Sequence, residues 1–369
     1  MKVTFIILMG LAAGCSDAAA PRVDGRTASP AGTSSADPST FDSGTELRVE
    51  VPESGRAYVK LDPPSAVTPA DPATSVDWDL AFEGFDVFTN GGASGSGRAA
   101  AFGPLDAIAF VDDVAPAVPF LFPDRAGGAF LDWYDYEGAP SHALWSRYHV
   151  FGVKDGDRLW KVQLLTYYGE RDGAPVAGLY RLRYAELTAQ GSGPTVEPPA
   201  LDGSAGGPQA PESTPSECLD LATGARTMLT PAEARASVAW HLCFRRQTVS
   251  VNGEIGGPRG VGAVDLDADR TATETIEEVK ARTPESELAR FDAVTAASFE
   301  GRTFRGDRVV RAFGDAWIDR QKTPLEPARA ERLVVDAAGK RHLVGFVRFE
   351  SPTPRSVGAV VMRIKPTRG

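Results

Sequence analysis

Residues 68–91 and 230–253 are two copies of one segment. At a constant offset of 162, eleven of the 24 positions are identical: Thr-Pro-Ala at the start, then Ser-Val, Trp, Leu and Phe, and finally Val, Asn and Gly. Trp78-Asp79-Leu80-Ala81-Phe82 faces Trp240-His241-Leu242-Cys243-Phe244, and Asn90-Gly91 faces Asn252-Gly253. Farther on, Phe130-Leu131-Asp132-Trp133 resembles Phe313-Gly314-Asp315-Ala316-Trp317, and the strand after Gly156 resembles the one after Gly339. Self-similarity at a fixed spacing marks a repeated structural unit. The chain is therefore expected to fold as two related units, over 44–189 and 216–369. A chain of 369 residues, 42% hydrophobic and 24% charged, has apolar material for two cores.

Each copy has the alternation of a β-strand. Trp78, Leu80 and Phe82 fall on one face and Asp79, Ala81 and Glu83 on the other, which predicts a half-buried strand. Asn90-Gly91-Gly92 supplies residues that tolerate a turn. Leu159–Tyr168 and Leu179–Leu187, rich in aromatic and branched residues, predict a hairpin pair. The 38 glycines and 28 prolines favour the same turn-rich architecture. The second copy departs at Thr283-Pro284-Glu285, followed by Leu288, Phe291 and Val294: an N-cap, a first-turn proline and a helical stripe that predict an inserted helix.

Outside the units, the composition changes. Residues 16–43 are Ser, Thr, Ala, Pro and Asp with few large apolar side chains and read as a disordered tether; residues 190–215, rich in Gly, Pro and Ser, read as a linker. At the N-terminus, Lys2, the apolar stretch Val3 to Leu11 and the small residues Ala12-Ala13-Gly14 run up to Cys15. The stretch is too short to span a bilayer and reads as a signal peptide over 1–15. It resembles a bacterial lipobox, with Ala12 where leucine is commonest. That resemblance implies acylation of Cys15, and Ser16 after it implies the outer membrane. Several acyl chains would hold the protein there. A net charge of -10 with no basic run disfavours nucleic acid as a partner.

The run Val76-Asp77-Trp78-Asp79-Leu80-Ala81-Phe82-Glu83-Gly84-Phe85-Asp86, closed by Thr89-Asn90-Gly91-Gly92, resembles the signature of the HmuY family of haem-binding lipoproteins. The likeness continues through Trp133-Tyr134-Asp135-Tyr136, His142, Lys154-Asp155-Gly156, Trp160-Lys161-Val162-Gln163-Leu164 and Tyr167-Tyr168. It covers roughly 46–187 well and 217–365 as a diverged copy. The resemblance implies an all-β protein of two tandem β-sandwich-type domains. Outside the cytoplasm it would capture haem and pass it to an outer-membrane haem transporter.

Haem requires an apolar slot and an imidazole, thioether or phenolate for its iron. His142, beside the Gly138-Ala139-Pro140 turn, and His149, at the start of an apparent strand, are the candidate iron and cofactor ligands. On one continuous strand their separation of seven would place them on opposite faces, so joint ligation requires the turn to fold back. His241 reads as an outward polar residue and His342 as structural. Met228 and Met362 read as core filler before ligands, and Tyr167 and Tyr168 as core and rim aromatics. Asp265-Leu266-Asp267-Ala268-Asp269 has the acidic alternation of a calcium loop. With Arg270 in the glycine position and Ile276 in the glutamate position, the pattern fails. No catalytic motif is found, so a non-enzyme is expected. Cys218 and Cys243 are expected to pair as a disulfide, since their strands should be neighbours in an oxidising compartment. The alternative to haem is a non-enzymatic surface module of the same fold that binds a protein or glycan.

Overall fold

The computed structural model describes residues 41–113, 118, 121–207, 211, 213–328 and 330–367. The expected signal segment, Cys15 and most of the tether lie outside the described residues. The fold is all-β, with a few short helices.

The repeat is visible in hydrogen bonds as well as in sequence. Trp78 Nε1 donates to the Pro72 carbonyl at 2.9 Å, and Trp240 Nε1 to the Ala234 carbonyl at 3.0 Å. Asn90 Nδ2 donates to the Ser75 and Trp78 carbonyls at 2.9 and 2.7 Å, while its Oδ1 accepts from the Gly97 N–H at 3.1 Å. Asn252 repeats all three, with Ser237, Trp240 and the Arg259 N–H. Each carboxamide is fully buried and clamps the loop before its tryptophan to the loop after its turn.

Around each tryptophan lies a four-stranded sheet. The first runs Pro64–Val67, Ala57–Leu61, Leu80–Glu83, Asp86–Thr89; the second runs Arg226–Leu229, Ser216–Leu219, Leu242–Arg245, Thr248–Val251. Each packs face to face on a larger sheet, and the larger sheet comes from the other copy. Leu80, Phe82 and Val87 of the first tryptophan sheet pack against Val344, Phe346, Val360 and Met362. Leu242, Phe244, Val249 and Val251 of the second pack against Val153, Val162, Tyr180 and Leu182. The covering sheets are themselves mixed. Thr45–Glu50 and Ala100–Leu105 flank the strands Ala359–Pro366, Arg341–Glu350 and Glu331–Val335, while Gly262–Asp265 pairs with Val150–Asp155 of the hairpin sheet. Two indoles seal the exchange: Trp133 Nε1 donates to the Gln247 carbonyl at 2.9 Å and Trp317 Nε1 to the Phe85 carbonyl at 3.1 Å. The chain crosses over at Arg125–Gly127 and Arg308–Val310, which pair antiparallel with each other.

The division into 44–189 and 216–369 therefore does not follow the sheets. One unit joins roughly 41–124 with 311–366, and the other is built from the residues between. The expected linker also needs correcting: Leu201 is fully buried, Leu201–Asp202 and Gly191–Ser192 pair with Ala174–Thr188, and Val196 bridges Tyr184. Phe41, within the expected tether, is buried on Phe110. The hairpin is present as Arg158–Arg171 and Ala174–Thr188.

The half-buried strand is buried on both faces. Asp79 is 1% exposed and accepts from the Leu61 and Ala337 N–H groups, both at 2.7 Å. His241, expected outward, is likewise fully buried; its Nδ1 accepts from the Leu221 N–H at 3.1 Å. Both polar residues serve a backbone donor beneath a loop from the other copy. Residue 337 supplies that loop for Asp79, and Asp155 stands against His241 Nε2 at 3.3 Å.

The inserted helix is Leu288–Ala293, four residues later than the Thr283 cap predicts, because Thr283 and Ser286 close a turn on each other. A second helix, Pro231–Ala236, opens on a capping box between Thr230 and Glu233. The matching Thr68-Pro69-Ala70-Asp71 of the first copy forms none, since Pro72 follows and removes an N–H that the helix would need.

Two outcomes follow from this architecture. Asn90→Ala and Asn252→Ala each leave two buried carbonyls and an N–H without partners and should cost roughly 2–4 kcal/mol in chemical denaturation. Residues 41–189 and 190–369 expressed separately should lack native near-UV circular dichroism, and co-expression should restore it. A folded, monomeric 41–189 would contradict the exchange.

Candidate functional site

A cleft of about 700 Å³ opens where the chain crosses between units. Its walls come from Gly127, Gly128, Ala129 and Leu131 at the first crossing strand and just after it, from Ala263, Val264 and Asp265 at the edge of the hairpin sheet, and from Arg308, Val309, Val310 and Arg311 at the second crossing strand. Phe88 and Asp86 of the first tryptophan sheet close one side. A site between units is where ligand pockets commonly form.

The polar lining divides into engaged and available groups. Arg311 is ion-paired with Asp86 and with Asp315, and Arg56 lies over the Phe88 ring while its Nε reaches Glu83 at 2.8 Å. Arg305 is largely exposed, with Glu254 at 4.0 Å, the limit of an ion pair. Arg308 is exposed and makes no ion pair among the described residues. Arg305 and Arg308 are thus the cations left to meet a ligand.

Behind the wall sits a buried charge network. His149 Nδ1 contacts Asp265 Oδ2 at 2.8 Å and Nε2 faces Glu274 Oε2 at 3.3 Å. Glu274 also receives Arg147 and Arg282, each at 2.8 Å, and Arg270 at 3.2 Å. Burial alone would lower the imidazole pKa, but hydrogen bonds and charge from Asp265 and Glu274 outweigh it and raise the net value. Burial pushes Asp265 up, and despite its own burial Glu274 is held well below the usual carboxylate range by His149 and the arginines.

His142 and His149 do not come together as a ligand pair. His142 takes a positive φ of 53° after the Gly138–Ser141 turn, stacks on Tyr136 and hydrogen-bonds through Nδ1 to that tyrosine's hydroxyl. His149 is 1% exposed and both ring nitrogens face carboxylates. As joint axial ligands for haem the two do not fit, because His149 has no nitrogen free for iron. His241 is pushed down to about 4 by burial and by Arg259, and His342 Nε2 is held by Asp336 at 2.9 Å. Met362 is a core residue and Met228 an exposed one; Tyr167 is buried, while Tyr168 is on the rim and accepts from the Leu144 N–H. Among the described residues no group of three His, Cys, Asp or Glu side chains is arranged to hold a metal ion. Cys218 and Cys243 stand directly opposite on paired strands and are joined by a disulfide.

No protein-family model matches this chain, and no curated protein matches it either.

The network gives a pH signature. The folded state holds the His149 proton more tightly than the unfolded chain, so this stabilisation is complete below the unfolded imidazole pKa of about 6.5. It is lost as pH rises through the higher folded value. His149→Gln should therefore destabilise the protein more at pH 6 than at pH 9 in thermal melts, and an equal or larger loss at pH 9 would contradict a charged His149.

Proposed function

We propose that the chain is a membrane-tethered, non-enzymatic binding module that takes a ligand bearing acidic groups, a protein segment or a glycan, in the cleft at the crossing. The observation that carries this reading is the cleft itself, lined by exposed Arg305 and by Arg308, which makes no ion pair among the described residues. Its volume falls in the range of ligand pockets, and its mixture of apolar floor and placed charges suits recognition. The lipobox-like segment ending at Cys15 supports attachment to the outer membrane. The likeness to the HmuY family supports a β-rich module displayed outside the cytoplasm.

Haem capture, with delivery to an outer-membrane haem transporter, is the second reading. One feature favours it: among the described residues His142 Nε2 has no hydrogen-bond partner, while the ring is braced on Tyr136. Haem would then depend on His142 without His149.

Fluorescence anisotropy on the full chain, with a labelled oligoglutamate and a labelled chondroitin sulfate, tests the cleft. Arg305→Glu with Arg308→Glu should weaken binding by about tenfold or more and flatten its salt dependence. Binding of neither probe, or binding indifferent to both arginines, would overturn the cleft reading. A haemin Soret shift abolished by His142→Ala would put haem in its place.

A further inference from the structure

The two units carry the same buried aspartate, and only one of the pair is satisfied. Asp124 and Asp307 occupy equivalent bridges, to Gly92 and Glu254, and their carbonyls accept from Ala93 and Ile255. The Asp124 carboxylate accepts from the Thr89 N–H at 3.0 Å, the Ser94 hydroxyl at 2.6 Å and the Ala312 N–H at 2.8 Å. In the second unit Gly256 stands where Ser94 stands in the first, so the hydroxyl that donates to the Asp124 carboxylate is gone, and Val251 replaces Thr89, whose hydroxyl accepts from the Asp124 N–H. Asp307 is fully buried and neither of its oxygens has a hydrogen-bond partner. The Val251 N–H and the Ser250 side chain lie near the carboxyl without completing a hydrogen bond, and burial, which outweighs their influence, pushes it up to about 7.

The orphaned carboxylate lines a cavity of about 90 Å³ beside Trp240. The first unit fills the corresponding space with side chains: Tyr58, Phe88 and Val309 pack around Trp78. By strand register their counterparts are Cys218, Ser250 and Ala126, and all three line the cavity. Three large-to-small differences have emptied one copy of a core that the other keeps closed. The rim also changes: Arg235 and Arg245 stand where the first unit has Ala73 and Glu83. Among the described residues Arg235 makes no ion pair, and Arg245 bonds the Thr214 and Pro211 carbonyls and no acid.

From this geometry we infer that the cavity beside Trp240 is a binding site for a small zwitterion of the α-amino acid class, ammonium on Asp307 and carboxylate toward Arg235 and Arg245. A simple cation would meet two arginines on entry, and a simple anion would meet the Asp307 carboxylate at the base. Only a molecule with both charges satisfies both ends. The Ser250 hydroxyl is beside the ammonium position, and the Trp240 ring offers a face for the carbon between. This inference is independent of the cleft.

Isothermal titration of the full chain with glycine and L-alanine, against acetate and methylammonium, tests it. The two zwitterions should give saturable binding, at least about tenfold tighter than either single-charge fragment. Asp307→Asn and Arg235→Ala should each weaken L-alanine binding by about tenfold or more. Ser250→Phe, which refills the space with the side chain found in the first unit, should abolish binding with native circular dichroism retained. Arg235 is on the surface, so its variant reports on the site even if a buried substitution unfolds. No saturable binding of either zwitterion, equal binding of acetate or methylammonium, or L-alanine affinity unchanged by Arg235→Ala would each overturn the inference.

Discussion

Each tryptophan sheet has apolar side chains on both faces and must be covered twice, and each takes its main cover from the other copy. Leu80 and Phe82 need the strands 341–366, and Leu242 and Phe244 need the hairpin 158–188. Burial of large aromatic side chains dominates core energetics, and here Trp133 and Trp317 are buried across the exchange with their indole N–H groups satisfied by the opposite copy. The crossing strands exist because of that reciprocity. So does the cleft, whose walls are drawn from both units.

Much of this architecture is legible in the sequence. Alternation around Trp78 and Trp240, the Asn-Gly turns, the long hairpin and the inserted helix can be read from period and turn chemistry. Choice of partner cannot be read this way. Two copies with the same pattern present equivalent edges and faces, so patterning fixes register and burial while leaving open which copy covers which. That ambiguity explains the particular corrections. Asp79 and His241 sit at polar positions of an alternating strand, yet the loop from the exchanged copy closes over them. Composition marks residues 190–215 as a linker, but a single leucine, Leu201, anchors part of it in the core.

The site residues were less accessible still. His149 meets Asp265 and Glu274 across 116 and 125 positions of sequence, and nothing local to any of the three signals the others. The Asp124 and Asp307 pair is recoverable from the repeat in hindsight, through the match of the segments that bridge to them. What separates their environments is scattered over Cys218, Ser250, Gly256 and Ala126. The second unit, thinned at those positions, carries the disulfide between Cys218 and Cys243 on the wall of its cavity. Closing a loop with a sequence separation of 25 is worth about 3 kcal/mol in the chain-entropy account, comparable to the packing lost with one large side chain. The two copies have thus kept one scaffold while diverging in what their cores enclose.

Zero-length carbodiimide cross-linking of the native chain, read by mass spectrometry, tests the exchange most directly. Asp62 of the first copy is ion-paired with Lys340 of the second, and both side chains are open to solvent. The exchanged fold predicts a cross-linked peptide joining Asp62 to Lys340, and another joining Glu137 to Lys280. Asp62 joined instead to Lys154, in the matching loop of its own copy, with no bond to Lys340, would mean that each copy covers itself.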